Sequence, residues 1–210
     1  MFLDDGRRFL LAARRRKGSA ASHYDITTSQ SVGAGARYAP GYLGKLKANF
    51  VGTEFQLFDA GAKPGGGGGG GGAPRRELGA VAYETNILGT KGPRKMLVAL
   101  PAAEAARAAA PAPAPAAPAP PPPPPAAVLR NKAPRWNDSM RAFCLNFGGR
   151  VTTASVKNFQ LAADGDAETV VLQFGKAGDE TFTCDFRWPL TPLQAFAICL
   201  SSFDSKLACE

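Results

Sequence analysis

The chain is poor in the side chains that bind metal ions or carry out covalent catalysis. It has a single histidine, His23, and four cysteines that form no CxxC pair. Zinc sites are built from clustered cysteine and histidine ligands, so we expect no metal site. His23 is not accompanied by a Ser/His/Asp or Cys/His motif either. We therefore expect no catalytic residue, no enzyme activity and no cofactor.

Long hydrophobic runs are also absent. The apolar run at residues 9–13 follows two aspartates and leads directly into the basic residues 14–17, so it does not have the form of a secretory signal. The cysteines are accordingly expected to be reduced, mostly buried thiols of a cytosolic or nuclear protein. They are Cys144, Cys184, Cys199 and Cys209.

Two segments of this single domain, residues 1–210, have too few bulky side chains to form a core. A glycine run predicts a flexible loop over residues 61–74, and eleven of the eighteen prolines lie in an Ala-rich insertion over residues 101–127. The unbroken prolines from Pro120 to Pro125 favour polyproline II, which either docks in SH3 or WW grooves or acts as a spacer between strands. The spacer is the favoured interpretation.

The remaining sequence predicts an all-β fold. Asp5 and Gly6 stand between two short apolar segments and predict a hairpin, because this pair tolerates the positive φ angles of tight turns. Further short apolar or alternating segments are separated by Gly- and Asp-rich turns, which favours a sandwich or a barrel. The segments predicted as strands lie at residues 50–51, 55–58, 78–83, 142–147, 151–156, 169–174 and 181–186.

One helix is predicted near the carboxyl end. Thr191 suits the N-cap, Pro192 suits the first helical position and Gln194 completes a capping box. Apolar side chains follow on most faces, so the helix belongs in a core and the strands are expected to wrap around it. It is too short to span a bilayer. The residues assigned to this core helix include Phe196, Ile198, Leu200 and Phe203.

Basic residues outnumber acidic ones. There are 25 Lys and Arg against 17 Asp and Glu, for a net charge of +8, which favours nucleic acid, acidic lipid headgroups or acidic proteins as partners. A basic run contains Arg14, Arg15, Arg16 and Lys17. It is interpreted as a nuclear-import or nucleic-acid patch, as a solvated hairpin arm, or as an extension of a basic surface that faces a membrane. The hairpin arm is favoured over a specific readout.

The end of the chain resembles the carboxyl-terminal signature of tubby-like proteins. The matching segments are AFAI at residues 195–198 and SSFDSKLACE at residues 201–210. Further blocks are similar to the same domain in the same order, and only the two low-complexity segments fall outside the resemblance. These blocks are FLLA at 9–12, GKLKANF at 44–50, YETNILG at 83–89, KGPRKM at 91–96, GRVT at 149–152 and ASVKNFQ at 154–160. NKAPRW at 131–136 is similar to plant members.

The resemblance implies a closed antiparallel β-barrel of twelve strands around a central hydrophobic carboxyl-terminal α-helix. It also implies binding of phosphatidylinositol 4,5-bisphosphate at the barrel surface, with release toward the nucleus. The implied headgroup ligands are Lys45, Lys47 and Arg75, with His23 at the position of a contributing asparagine. Lys45 and Lys47 alternate along a predicted strand and so lie on one face. Two lysines alone would bind weakly, so Arg75 and Arg76 are needed as well.

The sequence departs from the family's pattern in several ways. His23 replaces the asparagine, and Lys47 replaces an arginine, which turns a bidentate phosphate contact into a point-charge contact. The Pro/Ala segment replaces a strand-bearing region. The chain begins near the second strand of the domain, so we expect an amino-terminally shortened, incomplete barrel with an open edge. The sequence shows no F-box-like motif, so we do not expect the role in ubiquitin ligation that the resemblance implies for many plant relatives.

Three hypotheses follow. In the first, the protein is a monomeric phosphoinositide-binding adaptor of the cytosol and the cytoplasmic face of the plasma membrane that shuttles to the nucleus. In the second, it is a nuclear transcription regulator that binds nucleic acid through its arginine run. In the third, it is a truncated, non-functional family member that does not fold stably.

Overall fold

The structure is a computed structural model that describes residues 1–17, 19–31, 40–62, 74–84, 95–101, 127–138 and 142–204. The glycine run, nearly all of the Pro/Ala insertion with Pro120 to Pro125, and residues 205–210 with Cys209 lie outside the described residues. The predictions made for those segments stay predictions.

Twelve strands are present in the described part of the chain. They are β1 (Ala12–Arg15), β2 (His23–Thr27), β3 (Tyr42–Ala48), β4 (Glu54–Asp59), β5 (Glu77–Tyr83), β6 (Met96–Leu100), β7 (Ala127–Asn131), β8 (Arg135–Asn137), β9 (Ala142–Cys144), β10 (Phe159–Ala163), β11 (Asp166–Lys176) and β12 (Phe182–Phe186). Ten of them form one antiparallel sheet in the order β1-β2-β3-β4-β5-β6-β7-β10-β11-β12, while β8 and β9 pair separately. Alternating apolar residues, such as Phe55 and Leu57, turn one face of the sheet toward a common core.

The two end strands of this sheet, β1 and β12, are not joined by a ladder of hydrogen bonds within the described residues. Hydrogen bonds from one arginine side chain instead connect the amino-terminal hairpin with β12. Arg150 donates to Asp185 on β12 at 2.8 Å and to Asp4, in the amino-terminal hairpin, at 3.2 Å. The all-β architecture is therefore confirmed, but closure of the barrel is not confirmed.

The helix α1 (Pro192–Ser201) packs against the inner face of the sheet. Its capping box is formed as predicted: Thr191 Oγ1 accepts from the Gln194 backbone N–H, and Gln194 Oε1 accepts from the Thr191 backbone N–H. Gln194 Nε2 donates to the carbonyl of Leu78 on β5 at 2.8 Å. At the other end, the Tyr83 hydroxyl donates to Ser201 Oγ at 2.7 Å, because the Ser201 hydroxyl itself donates to a helix carbonyl. Both ends of the helix are thus fixed to β5.

The core-helix assignment is correct for Ile198, which is buried, but wrong for Phe203. The helix ends at Ser201, so Phe203 lies beyond it with 42% of its surface exposed. Phe196 and Leu200 are half-buried and pack against the core. Ala195, Ala197 and Cys199 are the other buried apolar residues of the helix. Small side chains at these positions let the helix approach the sheet closely.

Two other local predictions have different outcomes. The amino-terminal hairpin is confirmed by the bridge between Phe2 and Phe9, with Gly6 at a φ of 66° in the turn. Residues 151–156 are not a strand. The backbone N–H groups of Thr152 and Thr153 both donate to one carbonyl, that of Lys176, which is incompatible with the alternating bonds of a ladder.

The three described cysteines are free, as expected, but they are not mostly buried. Cys199 is buried, whereas Cys144 and Cys184 are only partly covered. Burial raises the pKa of the Cys199 thiol well above its ordinary value, so this thiol stays protonated. Its sulfur lies 3.5 Å from that of Cys184, which places the helix against β12.

Candidate anion-binding surface

Strand β3 places Lys45 and Lys47 on the outer face of the sheet. Their neighbours Gly44, Leu46 and Ala48 are buried, because successive side chains of a strand point to opposite faces. Lys45 is half-buried and Lys47 is exposed. The two ammonium groups therefore share one face, as the alternation in the sequence predicts.

The neighbouring strand β2 brings His23 to the same face. In the β2–β3 register, His23 is opposite Lys47 and Asp25 is opposite Lys45. Opposite residues on paired strands have their side chains on one face, and the strands are about 4.8 Å apart. Three of the four expected headgroup ligands thus lie together, with the Asp25 carboxylate beside them.

Arg75 reaches this surface from the segment that precedes β5. The centroid of the Phe58 ring, on β4, is 4.5 Å from Arg75 Cζ and 5.9 Å from Lys45 Nζ. Phe58 is also opposite Lys45 in the β3–β4 register. A cation over an aromatic face is stabilised by about 0.5–1 kcal/mol at an exposed site. Phe58 therefore holds two cations from different segments near one ring, which offsets part of their mutual repulsion.

The backbone around Arg75 is fixed by two contacts. The Arg75 N–H donates to the carbonyl of Ala62 at 2.7 Å. One residue later, the Asp59 carboxylate accepts from both the backbone N–H and Nε of Arg76, each at 2.9 Å. The positive charge of Arg76 is thus compensated by Asp59. Arg76, expected to be part of an auxiliary basic surface, is thus paired with Asp59 next to Arg75.

Two buried nitrogens of this surface have no hydrogen-bond partner, namely His23 Nε2 and Arg75 Nε. Leaving a buried polar group unsatisfied costs about 1–3 kcal/mol. An Arg Nε carries a proton, and a neutral imidazole with its proton on Nε2 also donates. Both atoms are unpaired but covered, so an anionic oxygen from outside the protein reaches them only after neighbouring side chains move.

The electrostatics around His23 favour the neutral ring. Burial lowers the pKa of His23 below its ordinary value of 6.5, and the positive charges of Lys45, Lys47 and Arg16 lower it further, while Asp25 opposes them. The imidazole is therefore uncharged near neutral pH. As a ligand, it would contribute a hydrogen bond and not a full charge.

The arginine run does not form one patch. Arg14 is opposite Asp25 on the outer face, whereas Arg15 is opposite the core residue Tyr24 and points the other way. Arg16 Nε and Nη2 donate to the two oxygens of Asp25 at 2.6 and 2.7 Å. This bidentate contact raises the pKa of Arg16 and compensates its charge. Of the expected auxiliary residues in this run, Arg14, Arg15 and Lys17 are exposed.

Sequence reasoning did not identify Phe58, Asp25 and Asp59. Phe58 follows the alternation of β4, where the outward residues are Glu54, Gln56 and Phe58. An aromatic residue on an otherwise polar face was the available signal. The roles of Asp25 and Asp59 depend on pairing between distant segments and left no local signal.

The structure offers no support for metal binding in its described residues, which contain no cluster of three or more His, Cys, Asp or Glu side chains. Within the same residues, no helix combines the length and the apolar character that crossing a membrane requires.

Comparison with known proteins identifies a family. A sequence profile described as the Tub family matches residues 1–205. The protein king tubby of Anopheles gambiae is 45% identical over 209 residues, which covers 96% of this chain and 45% of the relative. Tubby-related protein 3 of Mus musculus is 44% identical over 211 residues, covering 96% and 45%. Tubby protein homolog 1 of Caenorhabditis elegans is 42% identical over 214 residues, covering 96% and 50%.

The chain thus spans about half the length of the curated relatives it matches. These relatives come from an insect, a mammal and a nematode. The expected similarity to plant members finds no support among them.

Proposed function

Because the chain belongs to the Tub family, we propose that it is a binding module, not an enzyme, that docks on membranes by holding the headgroup of a bisphosphorylated inositol lipid. The observation that carries the proposal is the convergence of Lys45 and Arg75 on the Phe58 ring. Two cations from different segments lie against one aromatic ring there, so their side chains are partly ordered before a ligand binds, as expected of a preorganised phosphate site.

The chemistry of each side chain suits a phosphate-rich headgroup. Arg75 offers a guanidinium fork that can bind phosphate oxygens in a bidentate manner, whereas Lys45 and Lys47 act as point charges. His23 adds a neutral donor through Nε2. Each cation near an anionic membrane contributes about 1 kcal/mol, so three cations and one donor give modest affinity that a multivalent headgroup would raise.

The surrounding ion pairs favour a defined headgroup over a diffuse negative surface. Asp25 forms an ion pair with Arg16, and Asp59 forms one with Arg76. The charges of these two arginines at the border of the surface are therefore compensated. A phosphate group is therefore attracted mainly to Lys45, Lys47 and Arg75. In this proposal the phosphorylation state of the lipid sets whether the protein is at the membrane or is released to the cytosol and nucleus.

The nucleic-acid alternative has weaker support. It needs the arginine run to act as one basic patch, but Arg14 and Arg15 point to opposite faces and Arg16 is paired with Asp25. Neutralising Arg14, Arg15 and Arg16 would abolish salt-dependent DNA binding under that alternative.

Vesicle binding tests the proposal. The purified chain is mixed with phosphatidylcholine vesicles that contain phosphatidylinositol 4,5-bisphosphate, or phosphatidylserine at matched surface charge, at physiological salt. We expect selective binding to the phosphoinositide vesicles by a protein that melts cooperatively. Equal binding to both vesicles would reduce the site to a generic basic surface, and the absence of a cooperative melt would support a truncated product that does not fold.

A further inference from the structure

The turn between β3 and β4 exposes two apolar side chains at its tip. Phe50 and Val51 are 73% and 46% exposed. The sequence pattern had predicted strand structure here, but these residues instead form the connection between Ala48 and Glu54. Two adjacent exposed apolar side chains gain free energy together when they move from water into an apolar environment.

The tip has a defined shape that keeps these side chains outside the core. Asn49 Oδ1 accepts from the backbone N–H groups of Gly52 and Thr53 at 2.7 and 3.0 Å, and Asn49 Nδ2 donates to Thr53 Oγ1 at 2.9 Å. Gly52 adopts a φ of 82°, which only glycine takes readily. Three hydrogen bonds thus brace a turn whose outward apolar residues are Phe50 and Val51.

The tip belongs to the same hairpin as the basic surface. Phe50 lies three residues after Lys47, a separation of at most about 10 Å along the chain. On the other strand of the hairpin, Phe58 holds Lys45 and Arg75. The hairpin therefore carries Lys45 and Lys47 on its outer face, with Arg75 against Phe58, and an apolar pair at its end.

Charge and apolarity together indicate the partner. Surfaces that combine cations with exposed aromatic side chains suit the boundary between lipid headgroups and acyl chains, where apolar side chains enter to a depth of about 5–10 Å. An acidic protein surface would also attract the cations, but it would need an apolar pocket at the tip to cover Phe50 and Val51 as well.

We propose that Phe50 and Val51 insert into the acyl boundary of an anionic bilayer while Lys45, Lys47 and Arg75 hold its headgroups. This inference rests on the proposed function, because it assigns the same hairpin to the same membrane. The headgroup site sets which lipid is recognised, and the tip anchors the protein to the bilayer and fixes its orientation. A soluble headgroup occupies only the first of these sites.

The test compares Phe50→Ser/Val51→Ser with the parent chain and with Val156→Ser, a control at another exposed apolar position. Vesicles contain either phosphatidylinositol 4,5-bisphosphate or charge-matched phosphatidylserine. We expect the double variant to bind both vesicle types about tenfold more weakly, because two partly transferred apolar side chains contribute on that order. Its affinity for soluble inositol trisphosphate and its melting temperature should be unchanged, and Val156→Ser should bind like the parent.

A second readout reports insertion directly. In a Phe50→Trp variant, vesicles with bromine on the acyl chains should quench tryptophan fluorescence more than they quench the parent chain. Undiminished binding of the double variant, or no added quenching, overturns insertion and leaves the headgroup site intact. Insertion without lipid selectivity overturns the headgroup site alone, and no binding to either vesicle overturns both proposals.

Discussion

Arg75 Cζ lies 4.5 Å from the centroid of the Phe58 ring, although the two residues belong to different segments of the chain. The same ring faces Lys45 at 5.9 Å. One aromatic side chain thus contacts two cations that come from different segments. This preorganisation reduces the side-chain ordering that binding requires, so Phe58 should influence affinity without contacting a phosphate.

Replacing Phe58 tests this arrangement. Phe58→Leu keeps an apolar side chain on β4 but removes the ring, so we expect phosphoinositide binding to weaken about threefold to tenfold, in line with one or two lost cation–aromatic contacts. Phe58→Tyr keeps the ring and should bind like the parent. Titration with soluble inositol trisphosphate measures both. Equal affinity of all three proteins would mean that the ring has no positioning role.

His23 predicts a pH dependence. Without ligand, its pKa lies below 6.5 because of burial and the neighbouring cations. A bound phosphate would raise this pKa, so binding takes up a proton and tightens as the pH falls through the interval between the two pKa values. The gain in affinity is fully present below the lower pKa and absent above the higher one. It amounts to about tenfold for each pKa unit of that shift.

The matched control for this pH effect is His23→Asn, which keeps a hydrogen-bond donor but does not titrate. The phosphates of the ligand titrate equally with both proteins, so the ratio of their affinities isolates the histidine. A ratio that stays constant between pH 5 and 8, the range in which a histidine changes charge, would show that His23 is not near the bound headgroup.

Gly44 allows the close approach of the β3 backbone to Phe58 on β4. A Cβ at this position would lie 2.1 Å from the carbonyl oxygen of Phe58, and a backbone atom cannot move aside as a side chain can. We expect Gly44→Ala to destabilise the fold by about 1–3 kcal/mol, as overpacking does elsewhere. Denaturant unfolding measures this loss. Gly165→Ala is the control, because Gly165 also has a positive φ but no atom lies within 4 Å of its added Cβ. Equal losses for both variants would refute the steric argument.

Arg14 and Arg15 lie on opposite faces of β1, so replacing each by alanine removes the same charge from a different face. Arg14 is on the outer face with the candidate site, and Arg15 is on the inner side, where its guanidinium donates to Ser22 Oγ at 2.9 Å. We expect Arg14→Ala to weaken vesicle binding about threefold to fivefold, because one cation near the membrane is lost, and Arg15→Ala to have a smaller effect. Cosedimentation with anionic vesicles distinguishes them. Equal weakening would indicate that only net charge matters.

The fold could be predicted largely from local signals. Alternation located β4, β5, β11 and β12 to within a few residues, and Thr191 with Gln194 located the start of the helix. These features depend on neighbouring residues, which the sequence displays directly. The same alternation placed Lys45 and Lys47 on one face.

Features that depend on distant pairing could not be predicted in this way. Residues 151–156 have strand-like composition, but Val151 packs over Gly175 of β11 and the backbone leaves the ladder. Phe203 follows the apolar pattern of the helix, yet the helix ends two residues earlier. The compensation of Arg76 by Asp59 joins residues that are separated by the glycine run. Each outcome was decided by tertiary contacts.

The central claim is that Lys45 and Lys47 belong to a headgroup site and do not simply add charge. The most direct measurement compares Lys45→Ala/Lys47→Ala with Arg130→Ala/Arg135→Ala, which removes two charges from exposed ion pairs elsewhere. We predict that the lysine variant loses about tenfold or more in binding to phosphatidylinositol 4,5-bisphosphate vesicles, since each cation contributes on the order of 1 kcal/mol, while the arginine variant stays near the parent. Equal losses in the two variants, or unchanged binding of the lysine variant, would contradict the claim.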